Sequence, residues 1–432
     1  MTLEYHWATN VAAGGTDEDE ARTIETLPVP FKAYPADAER LPVETSVAGT
    51  LLEAGAGIVR SREMPQIGRT LHFRGYSSAG GLFPVEAYVA SAEGLLSFDP
   101  LGHSLVRLGG DVRGALAEAA ATPACEAFVI LTGIHARTGW KYMERGYRHI
   151  WWDAGTMLAN LLALASADDV APRLHTAFVD EEANELLGVD GRSEYVLAVL
   201  GLGRETEAPL NSPSNKVLLS ESRGAFRLAE AAHAAGALAD TEAVRAWRVD
   251  PPGDEPEVSR DALVRAIQRR GSVRNFSAQP LPRDEVAELL TWSEAPIPAD
   301  APPVVRQRVT VNAVEGLEPG IYEAQLSQVR SLPEAELRER SGFAAMEQDH
   351  PRLGAFNVWQ MADLDDTFAR LGDRGYRWAQ LEAGIRAGRL QIGAFMRGWG
   401  AAASTFYDEE VSKLLGTDEQ PLLMVAVGRR SA

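Results

Sequence analysis

The chain repeats itself, and a repeat of domain length constrains the fold before any element is assigned. The segment RGYRHIWWDAG at 145–155 returns as RGYRWAQLEAG at 374–384, offset by 229 with six of eleven positions identical. FVDEEANELLGVD at 178–190 returns as FYDEEVSKLLGTD at 406–418, offset by 228 with eight of thirteen identical. Chance supplies about one match per window at average residue usage. A similar apolar run follows each second block, YVLAVLG at 195–201 and LLMVAVG at 422–428. Shared Gly, Tyr and Asp positions are not dictated by helical periodicity. One domain used twice is implied, over 1–202 and 258–432. Residues 203–257, with PLNSPSN and DPPGDEPE, read as a connection interrupted by the Ala-rich helical patch AFRLAEAAHAAGALAD.

A chain of 432 residues has room for two or three domains. Its 61 acidic and 42 basic side chains leave a net charge of −19, which argues against a surface that neutralises nucleic-acid phosphates. Any bound phosphate needs a local basic cluster. The longest weakly polar stretch, AGTMLANLLALASA at 154–167, is too short to span a bilayer and carries Asn160, so no membrane helix is expected. The start MTLEYHWATN lacks a basic region followed by an apolar run, so no signal peptide is expected. Cys125 is the only cysteine, which excludes an internal disulfide, a zinc–thiolate cluster and a redox pair. A buried thiol and a cytoplasmic location are expected. The eight histidines are scattered without ligand spacing, and no metal site is expected.

The coarse pattern is α+β, with sheets covered by helices. In the first copy VEAYVAS, AFVILTG and YVLAVLG read as strands, a long helix runs from about Tyr142 to Leu164, and a short helix begins with Asp180 as its N-cap. In the second copy RVTVNAV, AFNVWQMA and LLMVAVG read as strands, SRDALVRAIQRR and PRDEVAELLTWS as helices. GxGxxG after a strand, GxxxxGK[ST] and GxSxG are all missing, so dinucleotide, P-loop and α/β-hydrolase readings lack their motif.

Three segments carry candidate chemistry. In IQRRGSVRNFSAQPLPRDEVAELL at 267–290, Arg270, Ser272 and Arg274 alternate after a helix end, so an extended chain points all three side chains the same way. Two guanidiniums and a hydroxyl suit a phosphate, although the same spacing suits solvated arginines at a helix end. In RGYSSAGGLFPVEAYV at 74–89, Ser77, Ser78, Ala79, Gly80 and Gly81 offer backbone NH groups without bulk to a flat ligand, or a plain glycine turn. In GWKYMERGYR at 139–148, Lys141 and Tyr142 are candidates for proton transfer once burial or charge shifts one of them. Their counterparts at offset 229 are Arg370 and Leu371, so the pair belongs to one copy alone.

Together these segments resemble the nitroreductase-fold flavoproteins, and within them the SagB-type peptide-azoline dehydrogenases. RRGSVRNFSAQPLPRDEV resembles the family's FMN-phosphate motif, and RGYSSAGGLFPVEAYV its R-x-x-P-S-A-G-x-x-Y-P-x-E segment, with Ser77 for Pro and Phe83 for Tyr. YHWATN at 5–10, PFKAYP at 30–35 and the Lys-Tyr pair followed by RGYR and DAG are also similar. The resemblance implies FMN held at the interface of two domains, with Arg270, Ser272 and Arg274 on its phosphate and residues 77–81 at its ring. Arg429 and Arg430, after the last strand, match basic residues that family members place near that phosphate. The first copy lacks the Arg-Ser-Arg clamp, and the second has the Pro-rich APIPADAPPVV where the Ser-Ala-Gly segment would be. A fused pseudo-dimer with one intact FMN site is expected, needing no second chain. The implied activity is oxidation of thiazoline or oxazoline rings in a peptide or related natural product, with O2 as final acceptor, Lys141 or Tyr142 as base, and a partner biosynthetic enzyme. The alternatives are an NAD(P)H-dependent nitro or quinone reductase and a non-catalytic peptide-binding scaffold.

Overall fold

A computed structural model describes residues 1–13, 26–65, 68–210 and 226–431. Most of PLNSPSN, and Ala225 of the Ala-rich patch, lie outside them. The first copy carries β1 (Arg40–Pro42), β2 (Ile58–Met64), β3 (Arg69–Arg74), β4 (Val85–Ser91), β5 (Gly94–Asp99), β6 (Ser104–Gly109), β7 (Cys125–Gly133), β8 (Pro172–His175) and β9 (Tyr195–Glu205). The second carries β10 (Val305–Val311), β11 (Gly320–Glu323), β12 (Gln328–Ser331), β13 (Phe356–Ala362), β14 (Gly400–Ser404) and β15 (Gln420–Gly428). The sheets run β1-β6-β5-β4-β7-β9-β8 and β12-β11-β10-β13-β15-β14, while β2 and β3 form a separate hairpin. Without β1 the two orders are the same, and every pairing between these strands is antiparallel. The duplication is therefore structural as well as sequential.

The repeated blocks meet at the centre. Helices Gly146–Ala167 and Arg374–Met396 are buried along nearly their whole length, as expected of helices packed on all sides. They cross where equivalent glycines coincide: a Cβ on Gly155 would stand 2.6 Å from the Gly384 backbone. Beside the crossing Trp152 Nε1 donates to Gln380 Oε1 at 2.6 Å.

The other repeated residues close the interface reciprocally. Arg145 and Arg148 of the first RGYR reach Asp408 of the second copy at 2.9 and 3.1 Å. Arg374 and Arg377 of the second RGYR reach Asp180 of the first, both at 2.6 Å. Burial pushes the Asp180 carboxyl up, but the guanidiniums of Arg377 and Arg374 outweigh it and hold the group well below the usual carboxylate range. Asp180 is thus not an N-cap: Val179 holds that position without a side-chain bond, and the Asp180 carboxylate is committed to the arginines. The long helix also starts later than its pattern predicts. A separate helix, His135–Tyr142, ends at Met143, whose φ of 47° breaks the run before Gly146.

Two further motifs are structural. Arg148 donates to Thr9 Oγ1 and Asn10 Oδ1, both at 2.8 Å, which ties YHWATN to RGYR. From PFKAYP, Lys32 forms a buried ion pair with Glu194 at 2.7 Å, and the Tyr34 hydroxyl meets Ser97 Oγ at 2.6 Å. Cys125 is buried, donates to the Ala127 carbonyl at 3.0 Å, and has its thiol pushed up to about 11 by burial. No helix among the described residues is long and apolar enough to cross a membrane.

Candidate active site

Helix Arg260–Arg269 ends at Arg270, whose backbone is extended, and the chain then runs along the edge of β14. Val273 N donates to the Ala401 carbonyl at 3.1 Å, and Phe276 pairs antiparallel with Arg430. The spacing of two predicts one row of side chains, and here the structure differs. Arg270 turns inward and donates to the carbonyls of Arg74, Gly75 and Tyr76 at 3.3, 3.2 and 2.5 Å, while Ser272 and Arg274 are exposed. The reason is local: the lead-in to the Ser-Ala-Gly loop presents three buried carbonyls, and a guanidinium fork satisfies them together. Burial first, and the nearby Arg60 second, push the Arg270 pKa down to about 10.

The loop that Arg270 supports is built on Asp153 of the first long helix. Ser78 Oγ donates to one Asp153 carboxylate oxygen at 2.5 Å and Ala79 N to the other at 3.0 Å, and Ser78 Oγ accepts from Phe83 N at 2.8 Å. Thr156 Oγ1 donates to the Ser77 carbonyl at 2.7 Å. Burial raises the Asp153 pKa to about 7, opposed by the Ser78 and Ala79 bonds and by Arg270. Gly80 and Gly81 take φ of 64° and 68°, a region that favours glycine. A Cβ on Gly80 would stand 3.2 Å from the Tyr142 hydroxyl and 3.3 Å from Lys141 Cδ, so the loop and the Lys-Tyr pair are in contact.

Tyr142 lies flat on His149, with ring centroids 3.9 Å apart and an angle of 11°. Burial raises its pKa, Asp153 adds to the rise, and Arg274 opposes it. Tyr142 therefore stays protonated at neutral pH, and a cation of the second copy is close enough to act on it. The cations of one copy and the loop and Lys-Tyr pair of the other converge in one place. Arg370, the counterpart of Lys141, forms an exposed pair with Asp366 at 2.9 Å. The only sequence signal for Asp153 is a lone acid inside the mostly apolar run HIWWDAG.

The reciprocal side is built differently. Glu382, the counterpart of Asp153, accepts from Val304 N and Val305 N at 2.8 and 3.1 Å and is paired with Arg386 at 2.8 Å. The Pro-rich segment lies against β8, with Leu174 N donating to the Pro298 carbonyl at 2.8 Å and Asp300 N to the Leu174 carbonyl at 3.1 Å. β8 is the counterpart of β14, so this segment takes the strand edge that Val273 takes on the other side. Residues 297–301 are buried there, and protein fills the position.

Arg429 and Arg430 adjoin the clamp segment, and both Val273 Cβ and Arg430 Cγ lie within 3 Å of where a Cβ on Gly400 would stand. Ser277 N donates to the Arg429 carbonyl at 2.9 Å, but Arg429 Nε donates to the Pro280 carbonyl at 3.3 Å, and the Arg430 guanidinium lies 5.7 Å from the Phe395 ring centroid. They line an open cavity of about 620 Å³ with Ser277, Gln279, Gly398 and Ser431. A larger cavity of about 900 Å³, among His135, Tyr195, Phe226 and His233, shares no residue with the loop, the clamp or the Lys-Tyr pair.

A flat ligand with a phosphate fits the converged residues. Arg274 has no ion-pair partner among the described residues, the Ser272 side chain is exposed, and Gly80 and Gly81 present an exposed backbone, packed at Gly80 against Tyr142 and Lys141.

Fold and site define a duplicated α+β domain closed into an intrachain pseudo-dimer. The Nitroreductase family model matches residues 38–204 and again 267–429, and the chain belongs to the nitroreductase family, a family of oxidoreductases. A crystal structure of a candidate nitroreductase from Anabaena variabilis is similar over 100% of this chain and 99% of that one, at 25% identity and a TM-score of 0.81, so the tandem arrangement recurs there. A protein of Methanocaldococcus jannaschii named as a candidate nitroreductase is 29% identical over 188 residues, 40% of this chain and 94% of its own length. A chain of the Escherichia coli microcin synthetase complex with truncated pro-peptide bound aligns over 48% of this chain and 92% of its own at 18% identity, with a TM-score of 0.31 that is too low to bear on function.

Proposed function

We infer that the chain is an FMN-dependent oxidoreductase with a single flavin site between its two copies, and that its reaction is the oxidation of azoline rings in a modified peptide or related natural product. The proposed domains are 1–202 and 258–432, connected by 203–257. In this reading Ser272 and Arg274, with Arg429 and Arg430 at the C-terminus, hold the phosphate, Arg270 positions the loop, and Ser77, Ser78, Ala79, Gly80 and Gly81 face the ring. The observation that carries the reading is the contact of Gly80 with Lys141 and Tyr142, on a loop whose lead-in is held by Arg270 of the other copy.

Bound FMN would supply a two-electron acceptor for hydride, with O2 as final acceptor. The remaining task falls to the chain: aromatising an azoline also releases a proton, and a group beside the ring must take it. Tyr142, kept protonated by burial, serves as a hydrogen-bond donor there, which leaves Lys141, exposed beside it, as the base in its neutral amine form. Lys141→Ala is expected to lower azoline turnover by about 10²–10⁴-fold, the usual scale of general-base catalysis, with FMN retained. Tyr142→Phe is expected to cost less. Turnover left intact by both substitutions, with FMN bound, contradicts the assignment.

The second reading is an NAD(P)H-dependent nitro or quinone reductase. It is favoured by the exposure of Gly80 and Gly81, which leaves the loop open to a small diffusing reductant. Rapid bleaching of the flavin by NAD(P)H in the absence of peptide selects it over the first. Colourless protein that takes up no added FMN selects a non-catalytic scaffold.

A further inference from the structure

We propose that Arg60, on the β2–β3 hairpin of the first copy, is a further ligand for the flavin phosphate, reaching it from the side opposite the 270–274 segment. The proposal rests on the flavin reading above and adds a residue that no motif of the sequence singles out.

The hairpin is an insertion specific to one copy. In the first copy it separates helix Val47–Ala56 from β4, whereas in the second the corresponding helix, Arg283–Glu294, reaches β10 through residues 295–304 without any strand. It belongs to neither large sheet. Its position is what matters: both terminal nitrogens of Arg60 lie 3.9 Å from where a Cβ on Gly271 would stand, and Gly271 is the residue between Arg270 and Ser272. The side chain is held there by its cross-strand partner, with the guanidinium 4.6 Å from the Phe73 ring centroid.

The charge arrangement calls for an anion. Arg60, Arg270 and Arg274 make no ion pair with any described carboxylate, in a chain whose acids outnumber its bases by 61 to 42. Arg60 is close enough to Arg270 to disfavour that residue's charge. Asp153 acts on Arg270 without forming an ion pair with it; a shared anion relieves the remaining charge, and a phosphate has enough oxygens to take planar guanidiniums from two sides as well as a hydroxyl.

Riboflavin, which is FMN without the phosphate, separates this role from a structural one. Flavin fluorescence titration of the full chain with FMN and with riboflavin measures the preference for the phosphate. Arg60→Ala is expected to lower FMN affinity by about tenfold, the scale of one charge-assisted contact, while leaving riboflavin affinity unchanged. Arg62→Ala, two residues along the same exposed strand, is expected to leave the preference unchanged. The proposal is overturned if Arg60→Ala changes the FMN-to-riboflavin preference by less than about threefold, or weakens both flavins equally, which would mark a folding effect on the loop. A wild-type chain that binds neither flavin contradicts the site itself, a result distinct from failure of Arg60 alone.

Discussion

Asp408→Ala is expected to destabilise the chain by about 3–5 kcal/mol, the usual cost of removing one member of a buried ion pair and leaving the other charge uncompensated. Two buried arginines, Arg145 and Arg148, share that carboxylate, and neither has solvent to turn to. Asp180→Ala should have a similar effect through Arg374 and Arg377. Chemical denaturation of each variant, with Glu409→Ala as an exposed control, measures the loss; a change below about 1 kcal/mol would show the pairs to be incidental to the interface. The acid limb carries a second signature. The Asp180 carboxyl is depressed in the folded chain, so its contribution is complete above the unfolded carboxyl pKa near ~4 and is lost as pH falls through the lower folded value. Asp180→Asn should flatten stability across that acid window.

Arg270→Ala is expected to cost both the loop and the cofactor. The residue donates to three carbonyls at the start of the Ser-Ala-Gly segment, of which Gly75 keeps a second bond from Asn160 Nδ2 at 3.0 Å, and each buried acceptor left unpaired costs on the order of 1–3 kcal/mol. The loop would lose its alignment with Lys141 and Tyr142, and FMN affinity should fall by about 100-fold, equivalent to about 2.7 kcal/mol. Arg270→Lys should not rescue binding, because an ammonium lacks the planar fork that spans neighbouring carbonyls. FMN affinity within about threefold of wild type in Arg270→Ala would show that the loop is held without it.

These two substitutions also mark what could be read from the sequence. The duplication was legible because the residues that repeat are those each copy needs to grip the other. RGYR clamps an aspartate of the partner copy, and the glycine of DAG or EAG is the only residue that fits where the helices cross. The strands were legible from β-branched runs such as AFVILTG, which is buried throughout. The role of Asp180 is not legible in the sequence, because an acid at a helix start has the same local signature whether it caps the helix or answers arginines distant in sequence. The break at Met143 was hidden because a positive φ at a non-glycine residue leaves no compositional trace. In the site, the segments themselves were visible, but not their orientation: a spacing of two placed Arg270 in a row with Ser272 and Arg274, and three carbonyls from the other copy turned it inward. Asp153 and Arg60 were missed for the same reason, since their partners, Ser78 and Gly271, are set by tertiary packing.

The central claim is that one duplicated chain holds one flavin. Purified protein saturated with FMN, freed of excess ligand and released by denaturation, gives the ratio of flavin absorbance to protein directly. The account predicts one FMN per chain, because the clamp, the small polar loop and the Lys-Tyr pair meet on one side, while the Pro-rich segment and Asp300 fill the other. Two FMN per chain would contradict it.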